Sequence, residues 1–257
     1  MKKKIVSMLL IVCLLVVGAS LTSCQSANTL LTKAFEKTDA LTEYAAEMKM
    51  EMSMEIAGEK IDVPVVIDMK VKDAKSENPV LWAEYSATTA GQETTMEMYK
   101  EGEWIYLASE ALGGGFKISA EESEGEYDFA KDVDEIVAEI PEELLEDAEV
   151  VKNDDGSKSV SVVIPKEKFS EIYGDLLKTV TEMNGGDEDA KASASDITVK
   201  VTVDDGYISS YDISFKLSMT LFGQTVESDV TASVTFKNLG EEVTITPPEG
   251  YADFKEM

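Results

Sequence analysis

The chain has 257 residues, of which 51 are acidic, 23 are basic and none is histidine, and its formal net charge at pH 7 is −28. A surface this acidic repels the phosphates of nucleic acids and of anionic lipid headgroups, so no nucleic-acid partner is expected. The lack of histidine removes the commonest general base and every histidine-dependent catalytic triad. We therefore expect a protein that is not an enzyme, with no catalytic residue, no cofactor and no bound metal ion.

The N-terminus has the pattern of an export signal. Basic residues precede an apolar run from Ile5 to Ala19, which is too short to span a bilayer comfortably. The next stretch, Leu21 to Cys24, resembles a bacterial lipobox, where the chain is cleaved before a cysteine that receives a diacylglyceryl group. The resemblance implies a signal peptide at residues 1–23, a lipid anchor on Cys24 and a location on the extracytoplasmic face of the cell membrane. The alternative is a plain signal peptide with an incidental cysteine.

The rest of the chain is expected to form one domain without a disulfide. The chain has two cysteines, and Cys13 lies within the signal, so no cysteine pair remains. Residues 24–29 are interpreted as the lipidated cysteine and a short tether. No repeat or linker divides residues 30–257, which are long enough to bury a substantial core. The sequence makes no prediction of the oligomeric state.

A helix and a long meander are predicted in the first part of the domain. Apolar residues at helical spacing place a helix from Leu31 to Leu41, with Asn28 or Thr29 as its cap. The period then changes to two, as expected for strands that have one apolar and one polar face. Turn residues separate about five such strands, at residues 45–56, 61–72, 79–90, 93–101 and 103–109.

The remaining predicted elements alternate between helices and strands. The middle third is expected to contain a loop at 110–127, a helix at 128–140, a short helical turn through Leu145, a strand at 157–164, an amphipathic helix at 165–183 and a polar loop at 184–195. The last third is expected to contain strands at 197–203, 207–221, 226–236 and 243–245.

These elements predict an α+β fold that is mostly antiparallel. About ten half-polar strands need a cover for their apolar face, and the few helices suit a curved sheet wrapped over them or a partly open barrel with a cavity. The order of lipobox, helix, long meander, central helices around one strand, long closing strands and a final "VTITPPEGY" resembles the LppX/LprG-type lipoproteins. More distantly it resembles the LolA/LolB-like carriers, and also a branch of uncharacterised Gram-positive lipoproteins.

The resemblance implies a half-barrel of about ten or eleven strands with three or four helices on its concave face. It also implies an apolar cavity that takes acyl chains, and so a lipid or amphiphilic ligand as partner. LolA is a soluble carrier, whereas this chain is predicted to be anchored, which argues against a shuttle between two membranes.

The stretch "AEMKMEMSMEIAG" at residues 45–57 has a methionine at every second position. Thioethers are ligands for Cu(I), so a copper site is one interpretation. A densely packed core is a second, and the wall of a ligand cavity is a third, because unbranched methionines adapt to varied apolar partners. The predicted cavity residues are Met48, Met50, Met52, Met54, Ile56, Ile61, Val63, Val65, Ile67, Met69, Phe215, Leu217 and Met219.

We therefore expect a membrane-anchored lipoprotein that binds a lipid or another apolar ligand non-covalently, for transfer or sensing at the cell envelope. One alternative is an interaction module that docks an envelope partner and has no ligand cavity. The other is a Cu(I)-binding lipoprotein that uses the methionines.

Overall fold

The computed structural model describes residues 26–56, 59–89, 92–120, 140, 142–146, 148–168, 191–221 and 224–256. The predicted signal peptide and Cys24 lie outside these residues. So do the helix predicted at 128–140, apart from Ile140, and all of the helix predicted at 165–183 after residue 168.

Most of the described chain is in strands. The helices are α1 (Ala27–Asp39) and α2 (Glu142–Glu146), with 3-10 helices at Glu110–Leu112 and Tyr251–Asp253 and a helical turn at 166–168. The strands, in chain order, are β1 (Glu43–Ile56), β2 (Glu59–Lys72), β3 (Val80–Thr89), β4 (Gln92–Glu101), β5 (Trp104–Ser109), β6 (Gly114–Ser119), β7 (Val150–Lys152), β8 (Lys158–Ile164), β9 (Lys191–Ala194), β10 (Ile197–Asp204), β11 (Tyr207–Leu221), β12 (Gln224–Lys237) and β13 (Lys255–Glu256).

All of these strands belong to one open sheet. Their order is β13-β6-β5-β4-β3-β2-β1-β12-β11-β10-β8-β7, and β9 pairs separately with β11. Every pair is antiparallel except β13 with β6, which is parallel. The prediction of an α+β, mostly antiparallel half-barrel is confirmed. The sheet has 13 strands rather than ten or eleven because it includes β6, β7, β9 and β13, where no strand was predicted, although residues 243–245 are not a strand.

Helix α1 covers one face of the sheet, which we call the inner face. It begins four residues before the predicted start, and its cap is Ser26 rather than Asn28 or Thr29. The Ser26 hydroxyl accepts a hydrogen bond from the Thr29 amide, so this orphan donor of the first turn is satisfied. The apolar side of the helix is buried, through Ala27, Leu30, Leu31 and Ala34.

The C-terminal end of α1 is joined to the sheet at an irregular point of β11. The register of β10 with β11 shifts between Thr202 and Val203. The amide of Ile208 donates to the Thr38 hydroxyl at 2.9 Å, and this hydroxyl donates to the Ala34 carbonyl at 2.8 Å. The threonine therefore provides a partner for a buried amide at a point where the strand ladder is irregular.

Two clusters of buried residues pack on the inner face. The helix-side cluster joins α1 and α2 to β1, β8, β10, β11 and β12, and its largest fully buried side chains include Val160, Val201, Ile208 and Tyr211. The meander cluster lies on β3 to β5 and consists of Ala83, Met98, Ile105 and Leu107. The two clusters lie on different strands: Ala46 of β1 belongs to the helix-side cluster, and β2 separates β1 from β3 of the meander cluster.

Three predicted loops or strands are wrong. Residues 110–127 include a 3-10 helix and β6, because Gly113 (φ +73°) and Gly114 (φ +143°) reverse the chain after β5. Residues 184–195 include β9, which is too short to show a period of its own. Residues 243–245 are not a strand: the buried Val243 donates its amide to the Glu43 carboxylate at 2.9 Å, so a side chain takes the place of a ladder partner.

The C-terminal residues 251–254 lie on the opposite, outer face of β4 to β6, and β13 then pairs with the edge of β6. The ring of Tyr251 packs edge-on against Tyr99 and Tyr106, with centroid distances of 5.4 and 5.1 Å. Phe254 lies directly over Gly115 and packs 6.4 Å from Tyr106. This contact buries Tyr99, which is 3% exposed, on a face that is otherwise largely polar.

Candidate ligand-binding face

The methionines of β1 lie on the inner face, in rows that cross several strands. Residues directly opposite one another in an antiparallel pair share a face, and neighbouring strands are about 4.8 Å apart. The register gives four such rows: Tyr211-Val234-Met48-Ile67-Tyr85-Met96, Ile213-Ala232-Met50-Val65-Ala87, Phe215-Val230-Met52-Val63 and Leu217-Ser228-Met54-Ile61. The rows contain no charged residue.

The structure brings the predicted cavity residues together on this face. Met69 lies opposite Ala46 and continues the same surface, and the other predicted residues with described side chains lie in the four rows. For Ile56 and Met219 only the backbone pairing is described, with Glu59 and Val226 respectively. That the predicted residues line a ligand cavity stays a prediction.

On the inner face of β1, Ala46 is buried, whereas the methionines that follow it towards the β1–β2 hairpin are half-buried. Ala46 is 3% exposed and Met48 packs against the helix-side cluster. Met50, Met52 and Met54 are half-buried and belong to neither described cluster, and Ile61 at the end of the last row is 39% exposed. We call this surface of Met50, Met52, Met54, Ile61 and Val63 the methionine strip.

The polar side chains of β1 and its neighbours lie on the outer face. Glu47 forms ion pairs with Lys49 at 2.5 Å and with Lys237 at 3.1 Å, and these hydrogen bonds lower the pKa of Glu47, with Lys49 the larger cause. The hydrogen bond from Ser53, followed by that from Lys60, lowers the pKa of Asp62. The charges near β1 are therefore separated from the methionine strip by the thickness of the sheet.

Sequence reasoning missed the contribution of β12 to this face. Val230, Ser228 and Val234 lie between the methionines of β1 and the apolar residues of β11. The alternation along β12 indicated an apolar face, but no local turn specifies that β12 pairs with β1, which is more than half the chain away. Ser228 has an unusual environment: it is 2% exposed and its hydroxyl has no hydrogen-bond partner.

The described part of the chain contains no group of three or more His, Cys, Asp or Glu side chains that could hold a metal ion. Across the same residues, no helix is long and apolar enough to cross a membrane. Neither finding bears on Cu(I) binding by methionine sulfur, which stays an untested alternative.

A protein-family model described as a family of unknown function, DUF6612, matches residues 26–253. No curated protein matches the sequence. The match covers nearly all of the residues that the structure describes.

Three solved structures show similarity in fold. LprF from Mycobacterium bovis has 16% identity and a TM-score of 0.48, with 87% of this chain and 97% of LprF covered. A DUF1329 family protein from Desulfovibrio piger ATCC 29098 has 11% identity and a TM-score of 0.30, with 86% and 95% covered. A putative outer membrane lipoprotein-sorting protein domain from Vibrio parahaemolyticus has 12% identity and a TM-score of 0.26, with 83% and 92% covered. At these scores the similarities do not bear on what this chain binds.

Proposed function

The chain belongs to the DUF6612 family, whose function is unknown. From the residues of this chain, we propose that it is a membrane-anchored lipoprotein that binds a lipid non-covalently on the inner face. The methionine strip is the observation that carries the proposal. Its three methionines are half-buried in the centre of the sheet, between two clusters that are packed. The binding would serve transfer or sensing at the cell envelope.

The composition of the strip favours a binding surface over a packed core. A core gains a single arrangement from branched side chains such as Val and Ile, which have few rotamers. Methionine is unbranched and polarizable, so a row of methionines can repack around ligands of different shape. The packed helix-side cluster contains the branched Val160, Val199 and Val201, whereas three of the five strip residues are methionines and only Ile61 and Val63 are branched.

Hydrophobic burial would supply the affinity. Each methylene removed from water contributes about 0.8 kcal/mol, while the loss of translational and rotational freedom is incurred once for each ligand. A ligand with two acyl chains therefore gains more than a ligand with one. The rows span at least four strands, or about 14 Å, which is wide enough for two chains side by side.

The predicted lipid anchor would keep the binding face close to a supply of lipid. Helix α1 is capped at Ser26, two residues after Cys24, so an extended connection reaches less than about 10 Å. The net charge of −28 repels anionic headgroups. Attachment would thus depend on the acyl chains of Cys24, and two chains are enough for stable anchoring.

The test uses residues 25–257, which contain every described helix and strand. The protein is purified from cells, examined by native mass spectrometry, and examined again after extraction with organic solvent. We expect an adduct of lipid mass that extraction removes and that returns when the lipid is added back. A bare polypeptide mass that does not change when lipids are offered would refute the proposal.

Two adjacent residues provide a matched pair of variants. Met52→Lys puts an ammonium group on the inner face, and Glu51→Lys puts the same group on the exposed outer face one residue away. We expect Met52→Lys to lose the adduct, because an unpaired charge in an apolar site is costly, and Glu51→Lys to keep it. Met52→Gln is a further variant that adds polarity without a charge. Circular dichroism of each variant checks its folding, so that a lost adduct can be assigned to lost binding or to lost structure.

The same protein distinguishes lipid binding from copper binding. Leucine matches methionine in volume but has no sulfur, so the double variant Met50→Leu and Met52→Leu should keep the lipid adduct. Loss of a Cu(I) adduct in this variant, with no lipid adduct in either protein, would favour the copper alternative instead.

A further inference from the structure

Ser228 places a hydroxyl group in an apolar part of the inner face. Its direct neighbours across the strands are Leu217 of β11 and Met54 of β1, and the next inner-face residues along β12 are Val226 and Val230. None of these side chains can accept or donate a conventional hydrogen bond. Ser228 is 2% exposed, and its Oγ has no partner.

An unpaired buried hydroxyl is unusual, because most buried polar groups have a hydrogen-bond partner. Alanine has nearly the same volume and would fill the same space without the cost of desolvating a hydroxyl group. Other buried serines among the described residues are paired: Ser157 donates to Asp155 at 2.6 Å and Ser159 donates to Asn153 at 3.2 Å. Ser228 therefore differs from them by its lack of a partner as well as by its position.

We propose that the Ser228 hydroxyl is a polar anchor of the binding face and donates a hydrogen bond to the carbonyl oxygen of an acyl ester. The inference rests on the proposed function and adds the class of ligand, which is a lipid whose chains are linked through esters. A bound ester would supply the acceptor that the hydroxyl lacks in the ligand-free protein.

The surroundings of Ser228 favour a neutral carbonyl over a charged headgroup. The row that contains Ser228 consists otherwise of Leu217, Met54 and Ile61, with no basic or acidic residue. A phosphate or an ammonium group would need several partners and would be left unpaired there. A carbonyl oxygen needs one donor, and an ester lies where the acyl chain ends, so its chain can continue along the methionine strip.

Access to the hydroxyl requires a small rearrangement. Met54 beside it is half-buried, and an unbranched side chain with three rotatable bonds can turn aside when an acyl chain enters. Leu217 on the other side is 8% exposed and is branched, so we expect it to stay in place as a wall of the site.

The experiment compares two lipids that differ at the linkage alone. Residues 25–257 are incubated with an equimolar mixture of dipalmitoyl glycerol, which has two acyl esters, and dihexadecyl glycerol, which has two ethers and the same chain length. Both are supplied in vesicles of an ether-linked phosphatidylcholine, and native mass spectrometry gives the ratio of the two adducts. One neutral hydrogen bond corresponds to a preference for the ester of about two- to tenfold.

Three variants assign the preference to the hydroxyl. Ser228→Ala should bind both lipids with a ratio near one, and Ser228→Thr, which keeps a hydroxyl, should retain a preference for the ester. Ser233→Ala removes a hydroxyl from the outer face of the same strand and should leave the ratio unchanged. Urea unfolding of ligand-free Ser228→Ala should show no loss of stability, because the variant removes an unpaired polar group.

The outcomes separate this inference from the proposed function. If the wild type binds both lipids equally, or if Ser228→Ala keeps the preference, the anchor is refuted while lipid binding stands. A variant that is more stable but has the wild-type ratio would identify Ser228 as a packing defect and would also refute it. If the wild type binds neither lipid and carries none from cells, the proposed function fails and the anchor fails with it.

Discussion

Replacing Gly115 by alanine should destabilise the protein through its contact with Phe254. Gly115 is not among the glycines with positive φ, so its backbone would accept an alanine. In an open strand this change would stabilise by about 0.5–1 kcal/mol. Here a Cβ would lie 2.1 Å from Cζ of Phe254 and 2.3 Å from Cε2, which is far inside van der Waals contact. The ring must therefore move away from the strand.

The size of the effect follows from what the ring would lose. Full burial of a phenylalanine is worth about 1.5–3 kcal/mol, and Phe254 is half-buried. Its contact with Tyr106, at 6.4 Å, adds about 0.5–1.5 kcal/mol. After the gain from alanine is subtracted, the free energy of unfolding should fall by about 1–2 kcal/mol. For a protein of this size, that is a decrease in Tm of about 2–8 °C.

A double-mutant cycle with Phe254→Ala tests the cause. Urea unfolding can be monitored by tryptophan fluorescence, since Trp104 lies in β5, which pairs with β6, and Trp82 lies in β3 of the same sheet. When the ring is absent, Gly115→Ala should be neutral or stabilising. A destabilisation by Gly115→Ala that persists in the Phe254→Ala protein would refute the reasoning, as would an unchanged stability of the single variant.

Further predictions concern α1 and the outer face. Thr38→Val should lower the free energy of unfolding by about 1–3 kcal/mol, because it leaves the buried amide of Ile208 unpaired, and Thr38→Ser should restore it in the same urea titration. Ser26→Ala should cost about 0.5–2 kcal/mol through loss of the N-cap, detected as a lower Tm by circular dichroism, with no change if the cap is unimportant. Burial, followed by the charge of Glu101, raises the pKa of the Tyr99 hydroxyl from 10.0 to about 12. The neutral hydroxyl of Tyr99 therefore contributes its full stability to the fold below pH 10, and this contribution is lost as the pH rises towards 12. Urea midpoints measured across this range should fall more steeply for the wild type than for Tyr99→Phe, and equal slopes would contradict this.

The strands and faces near β1 could be predicted from the sequence because a period of two is a local property. Four alternating methionines place Met48 to Met54 on one face, whatever strand lies next to them. The hairpin to β2 was also predictable, since short connections join neighbouring antiparallel strands. The period of two along β2, together with this hairpin, places its apolar residues on the same face as the methionines.

The pairing of distant strands could not be predicted in this way. Strand β12 completes the inner face beside β1, but its position depends on tertiary contacts that involve most of the chain. Strands β7, β9 and β13 have two to four residues, which is too few for a period to appear. Ser228 became a candidate through its burial and its unpaired hydroxyl, and neither property is visible in a sequence that has many serines in strands.

The central position of β1 connects the proposed binding to the stability of the whole sheet. The helix-side cluster includes Ala46 of β1 and the meander cluster begins on β3, so the sheet joins the two clusters through β2. A lipid on the methionine strip would cover half-buried side chains of β1 and β2, the strands at this junction. Because a ligand that binds the folded state alone stabilises it by mass action, by about 2.7 kcal/mol at a concentration one hundred times its Kd, lipid loading would stabilise the folded sheet as a whole. The proposed binding therefore predicts that the half-buried Met50, Met52 and Met54 become fully buried when a lipid is bound.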